Sequence, residues 1–254
     1  MTKTIDLNCD MGESFGVYKL GLDDEVIQLI SSVNVACGFH GGDPNIMDHT
    51  VAMAKKYGVG VGAHPGFQDL AGFGRRNIDM EREDLMNLII YQIGALDIFC
   101  QKHGVPLTHV KPHGNMNNMA DSDEEMATNI VDAVLAVRPD LPIMVKPNSQ
   151  LHLVAKAKGL PFILELFADR SYNSDFSLVS RRIEGAVITN PNKVAQRMVK
   201  MVTEGKLTTF NGEEIEIEGQ SICVHGDTPT ALQMIKTIRM ELEHVGIQIA
   251  PFSV

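Results

Sequence analysis

The chain has 254 residues, 44% hydrophobic and 21% charged, with a formal net charge of −10. That length suits one α/β barrel of roughly 250 residues. The acidic balance argues against a nucleic-acid partner, whose phosphates it would repel, and no apolar run approaches the ~18 residues of a membrane-spanning helix.

The first predicted strand is "IDLNCDMGE", residues 5–13, in which Ile5 and Leu7 alternate before Asn8, Asp10, Gly12 and Glu13. Charges at Asp6, Asp10 and Glu13 interrupt any apolar signal segment. The next run, "SSVNVACGFHGGDP" (31–44), starts as a buried strand and breaks into His40, Gly41, Gly42 and Asp43. Asp43-Pro44 reads as the cap and first residue of a helix reaching Tyr57. "GVGVGAHPG" (58–66) repeats the break at His64, and the loop after it carries Arg75 and Arg76. Leu85, Leu88, Ile89, Gln92, Ile93, Leu96 and Phe99 then fall at three- and four-residue spacings, predicting a long amphipathic helix. "LTHVKPHG" (107–114) ends in Lys111 and His113; Ser122 and Glu125 form a predicted capping box before a further helix. Strands are expected near 143, 163, 186 and 221, with "GIQIAP" a possible last piece. Asn190-Pro191 and Thr228-Pro229 read as two more helix starts. The Asn211-Gly212 pair predicts a β-hairpin inserted at about 207–219. No linker divides the chain, so residues 1–254 read as a single domain.

Strand and helix alternate throughout, which predicts an α/β barrel of about seven or eight mostly parallel strands. In such a fold the strand C-termini share one face, where barrel active sites lie. The polar break after each strand therefore predicts one pocket. Its candidate catalytic groups are Asp10, Glu13, His40, His64, Lys111 and His113. Candidate substrate contacts are Asn8, Asp43, Arg75, Asp169, Arg170, His225 and Asp227.

Each candidate has a plainer explanation. Asp43 can be only a helix cap, Asp169 and Arg170 an internal ion pair, and Lys111 a salt bridge inside the barrel. Cys9 and Cys37 read as small buried thiols rather than nucleophiles. The four cysteines lack CxxC spacing, which disfavours a zinc cage and fits free thiols in a reducing, cytoplasmic setting. There is no phosphate-binding GxxxxGK[ST], no GxGxxG and no GxSxG. Histidine and carboxylate donors are compatible with a metal, but no compact metal motif is present.

The stretches "DLNCDMGESFG", "NVACGFHGGDP", "GAHPGFQDLAGFGRR", "HVKPHG", "FADRSY" and "CVHGD" together resemble the LamB/YcsF family, in order and over nearly the whole chain. The resemblance implies an irregularly closed barrel of the glycoside hydrolase/deacetylase type. It also implies ATP-dependent opening of the lactam 5-oxoproline to glutamate, together with subunits B and C of 5-oxoprolinase, so that ATP enters through the complex. Two positions depart from the family pattern: Asn117 replaces an aromatic wall residue after "KPHG", and Gly41 replaces an alanine. Two rival readings remain. One is a metal-dependent deacetylase-like amidohydrolase acting alone, with Asp10, His40 and His64 as ligands. The other is a non-catalytic protein that only binds the lactam for its partners.

Overall fold

The computed structural model describes residues 3–224 and 231–252. In chain order its strands are β1 (Thr4–Met11), β2 (Ser32–Ala36), β3 (Gly60–His64), β4 (Leu107–Val110), β5 (Ile143–Val145), β6 (Phe162–Phe167), β7 (Lys206–Thr208), β8 (Glu214–Glu216), β9 (Ser221–Cys223) and β10 (Gln248–Ile249). Seven of them, β1 to β6 and then β9, form a parallel barrel. They pair in that order, and β9 closes onto β1 through Asp6↔Ser221, Leu7↔Ile222 and Asn8↔Cys223. Closure is irregular. The β3–β4 register shifts between Val61 and Gly62, and β4 meets β5 at one pair, Val110↔Ile143. The short β10 lies along the start of β1.

The strand expected near 186 is absent. Val187 makes one isolated bridge to Arg170. The reason is topological: β6 pairs directly with β9, so no strand edge is left between them. Residues 175–178 and 180–182 instead line the cavity described below. The hairpin expected at about 207–219 corresponds to β7 paired antiparallel with β8, turning through Asn211-Gly212.

Helices surround the barrel: α1 (Asp23–Val26), α2 (Pro44–Tyr57), α3 (Arg82–His103), α4 (Gly114–Ala120), α5 (Glu124–Val137), α6 (Gln150–Lys158), α7 (Pro191–Glu204) and α8 (Ala231–His244). Their starts follow local side-chain chemistry. At α2 the Asp43 carboxylate accepts from the amides of Asn45 and Ile46, satisfying donors that a helix start leaves orphaned. At α7 Asn190 does the same for Lys193. The start of α5 differs from expectation. Asp123, not Ser122, accepts from Met126 N, while the Ser122 hydroxyl turns back to Met119 O. The expected start at Thr228-Pro229 lies outside the described residues.

Strand alternation sorts side chains between two environments. On β1, Ile5, Leu7, Cys9 and Met11 join the apolar core. Asp6, Asn8 and Asp10 take the other face and fill the barrel interior with a hydrogen-bonded column. At its base, the hydroxyls of Ser31, Ser32 and Ser221 donate to the Asp6 carboxylate. Higher up, Asn8 donates to Glu165 Oε1 (3.0 Å) and Ser221 Oγ (2.8 Å). Asn34 donates to both Asn8 and Asp10, each at 2.8 Å, and His109 Nε2 lies 2.6 Å from Asn34 Oδ1. Gly62 makes room for this column, because a Cβ there would sit 2.1 Å from the His109 ring. Buried polar groups are tolerated only when bonded in this way.

Candidate active site

A cavity of about 730 Å³ opens at the C-terminal ends of the strands. Its floor has two parts. The first centres on Lys111, just beyond β4. Its ammonium lies 2.8 Å from Asp10 Oδ1, 2.8 Å from Glu165 Oε1 and 3.3 Å from Cys223 Sγ. Burial alone would discharge this lysine, but the Asp10, Cys223 and Glu165 groups around it hold its pKa well above the ordinary value. The anionic partners of the expected salt bridge are therefore Asp10 and Glu165.

The second part brings together Glu13, His40, His64 and His113. His64 Nδ1 lies 2.6 Å from the Lys111 carbonyl, and His113 Nε2 lies 2.8 Å from the Phe73 carbonyl. A carbonyl only accepts, so each of these nitrogens carries the ring hydrogen. The remaining nitrogens, His64 Nε2 and His113 Nδ1, face each other at 3.0 Å. Glu13 Oε1 stands 3.5 Å from both His113 Nδ1 and His40 Nε2. The His40 and His113 rings stack at 3.6 Å. Burial pushes both imidazoles well below their ordinary pKa, and neighbouring histidines add to the effect. Both rings are therefore neutral near pH 7.

The loop residues that hold this cluster have unusual backbones. Phe73 adopts φ +55°, a conformation most side chains avoid, and its carbonyl anchors His113. Gly42 has φ +78°, and a Cβ there would meet Gly12 O at 2.6 Å, so the His40 loop and the Glu13 loop can approach only through glycine. Gln92, expected on the apolar face of α3, clamps both the amide and the carbonyl of Gly66, two residues beyond His64.

The expected residues divide as follows. Asp10, Glu13, His64, Arg75, Lys111, His113 and Arg170 line the cavity. His40 lies behind the lining, in contact with His113, and Asn8 lies below it in the interior column. Asp43 is not a lining residue: its carboxylate caps α2 and accepts from Gly16 N at 2.8 Å. Asp169 is buried but does not line the cavity either. Arg170 donates to Val179 O, and burial lowers its pKa to about 10. Arg76 is bound to Asp69. His225 and Asp227 lie outside the described residues. All four thiols are buried, with Cys37 and Cys100 pushed up to about 12 and Cys9 and Cys223 well above their ordinary value, which disfavours a thiolate nucleophile. Asn115, Asn117 and Asn118 make one wall polar.

Sequence reasoning missed Glu165, Asn34 and His109. Their signal was available as polar residues inside otherwise apolar strands. As for a metal, donor atoms of Glu13, His40, His64 and His113 all lie within 4.8 Å of one another, which includes two of the expected trio of Asp10, His40 and His64. The third, Asp10, is held through Oδ1 by Lys111 and Asn34, with Oδ2 3.4 Å from His64 Nε2.

The family model described as the LamB/YcsF family matches residues 5–254. The chain belongs to this family. It is 50% identical over 247 residues to a protein of Natranaerobius thermophilus named as the A subunit of 5-oxoprolinase, covering 97% of this chain and 96% of that one. It is 48% identical over 245 residues to a Campylobacter jejuni protein of the same name, covering 96% of each. The crystal structure of a lactam utilization protein from Thermus thermophilus superposes with a TM-score of 0.94 at 42% identity, over 98% of this chain and all of that one. The parallel barrel and the lactam relatives both agree with the resemblance carried by the six sequence stretches. Among the described residues no helix is long and apolar enough to cross a membrane.

Proposed function

We propose that this chain opens the lactam ring of 5-oxo-L-proline to give L-glutamate, as one component of an ATP-dependent hydrolase whose subunits B and C handle the nucleotide. The observation that carries the reading is the relatives' name, the A subunit of 5-oxoprolinase, at about 50% identity over nearly the whole chain. The acid–base groups of the cavity support it, and the sequence has no phosphate loop for ATP of its own.

A lactam is a stable amide, so ring opening needs an activated carbonyl, a base for water and an acid for the leaving nitrogen. His64 Nε2 and His113 Nδ1 are the ring nitrogens left unprotonated, and Glu13 lies beside them. One of this group takes the proton of water as its oxygen bonds to the lactam carbonyl carbon. The carbon–nitrogen bond then breaks, and the departing nitrogen receives the proton. The products are the new carboxylate and the freed amine. Arg75 and Arg170, on the cavity wall, match the carboxylate the substrate already carries. Lys111, flanked by two carboxylates, orders the floor and holds Asp10 in place.

The test is turnover of 5-oxoproline and ATP by this chain alone, by subunits B and C alone, and by all three. Glutamate should form only when all three are present. His64→Ala should leave the complex assembled and slow glutamate formation by about 100-fold or more. Full glutamate output from B and C alone, or from the assembled His64→Ala complex, would overturn the proposal.

A further inference from the structure

Hydrogen positions in the histidine cluster create a problem that side chains alone do not solve. Backbone carbonyls fix the hydrogens of His64 and His113 on their outer nitrogens. Two lone pairs therefore point at each other across 3.0 Å. His40 is 1% exposed, and among the described residues neither of its ring nitrogens has a hydrogen-bond partner. A buried polar atom without a partner is costly and calls for an explanation such as an ion. The Glu13 carboxylate faces the same point. The facing His64 and His113 lone pairs, with the Glu13 carboxylate beside them, require something electrophilic between them, and the His40 ring, stacked face to face on His113, would turn toward the same point to join them.

We propose that Glu13, His40, His64 and His113 bind one first-row divalent cation, with Zn²⁺ the best match. Three imidazoles and one carboxylate are borderline donors of the kind zinc prefers. Their ligand atoms all lie within 4.8 Å of one another. Three of the separations, 3.0, 3.5 and 3.5 Å, bracket the roughly 3.3 Å expected between ligands at zinc bond lengths of ~2.0–2.1 Å. The outer hydrogen bonds from His64 and His113 to carbonyls are the supports that metal-binding histidines ordinarily have, because they fix the tautomer and aim the other nitrogen. Asp10 flanks the set: its Oδ1 is taken by Lys111 and Asn34, and its Oδ2 lies 3.4 Å from His64 Nε2. The proposal rests on this geometry and does not require the lactam reading: with the cation bound, His64, His113 and Glu13 would be its ligands, and the ion rather than one of them would activate whatever carbonyl or water enters the cavity.

The experiment uses the purified full chain, freed of metal by a chelator. Zn²⁺ is titrated by calorimetry, and Co²⁺ is followed by its visible absorption. One equivalent should bind, and Co²⁺ should give the intense bands of a low-coordinate nitrogen–oxygen site. His40→Ala and the isosteric Glu13→Gln should each weaken Zn²⁺ binding by at least about 10–100-fold. Circular dichroism and melting curves identify any variant that fails to fold, and Glu13→Gln keeps the test decisive if His40→Ala is lost. A folded wild-type chain that binds no Zn²⁺ would overturn the proposal and leave a proton shared by His64 and His113. Stoichiometric binding that neither substitution weakens would also overturn it, by placing the ion elsewhere. Neither measurement involves substrate or partner subunits, so failure of the metal site and failure of the ring-opening reading are distinguishable.

Discussion

On the Lys111 side of the cavity floor, opposite charges meet within the protein: one ammonium lies 2.8 Å from each of two carboxylates, and Asn8 and Asn34 bond the same acids. On the His113 side, a few residues away on the same segment, acceptor faces acceptor at 3.0 Å, and a fully buried imidazole has no hydrogen-bond partner among the described residues. Both sides are buried and polar. The first satisfies itself and so serves stability and the placement of Asp10. The second is satisfied only by something brought in, which is the character expected of a group that handles protons or ions.

That contrast is open to direct attack. The largest effect should come from Lys111→Met. It leaves the Asp10 and Glu165 carboxylates buried without their cation, and breaking a buried pair in this way costs about 3–5 kcal/mol. Urea unfolding should show the loss, and adding Glu165→Gln should recover part of it by removing one stranded charge. A Lys111→Met protein as stable as wild type would mean the lysine is not what holds the two carboxylates.

His40→Leu should behave in the opposite sense. Removing two unpartnered nitrogens from the interior should leave the metal-free chain as stable as wild type, or up to about 1–2 kcal/mol more stable. Glutamate formation in the assembled complex should nevertheless fall by about 100-fold or more. A clear drop in melting temperature for the metal-free variant would show that His40 is a structural residue with a partner of its own.

Asp43→Ala supplies the baseline, since Asp43 belongs to neither side. Losing the α2 cap should cost about 1 kcal/mol, read as a small shift of the urea midpoint, with turnover close to that of wild type. A hundredfold loss of turnover would return Asp43 to the substrate site where its sequence position first suggested it.

The fold was legible because periodicity is local. The helix starts at Asp43-Pro44 and Asn190-Pro191, the long helix around Leu85–Phe99, and the β-rich runs each carry their signal within a few residues. The apparent strand near 186 misled for the same reason. Its local pattern was adequate, but pairing is a property of the sheet, and β6 and β9 had already taken each other's edges. Gln92 was counted as part of an apolar helix face because nothing near it in the chain marks Gly66 as lying opposite.

Local pattern alone established that polar, ionisable side chains gather at successive strand ends, and so that the barrel has one functional face. Alternation of Ile5 and Leu7 along β1 was legible as well, but that Asp6, Asn8 and Asp10 share the interior face was shown by their hydrogen bonds. Which of those groups share protons and charge was settled by tertiary contacts. Lys111 meets Asp10 and Glu165 across separations of 101 and 54 positions in the chain, and His64 meets His113 across 49. Barrel closure and the backbone carbonyls that fix each imidazole set those encounters. Neither leaves a mark in local sequence, because hydrogen-bond partnership depends on a few ångströms of spacing that the chain acquires only when the sheet closes.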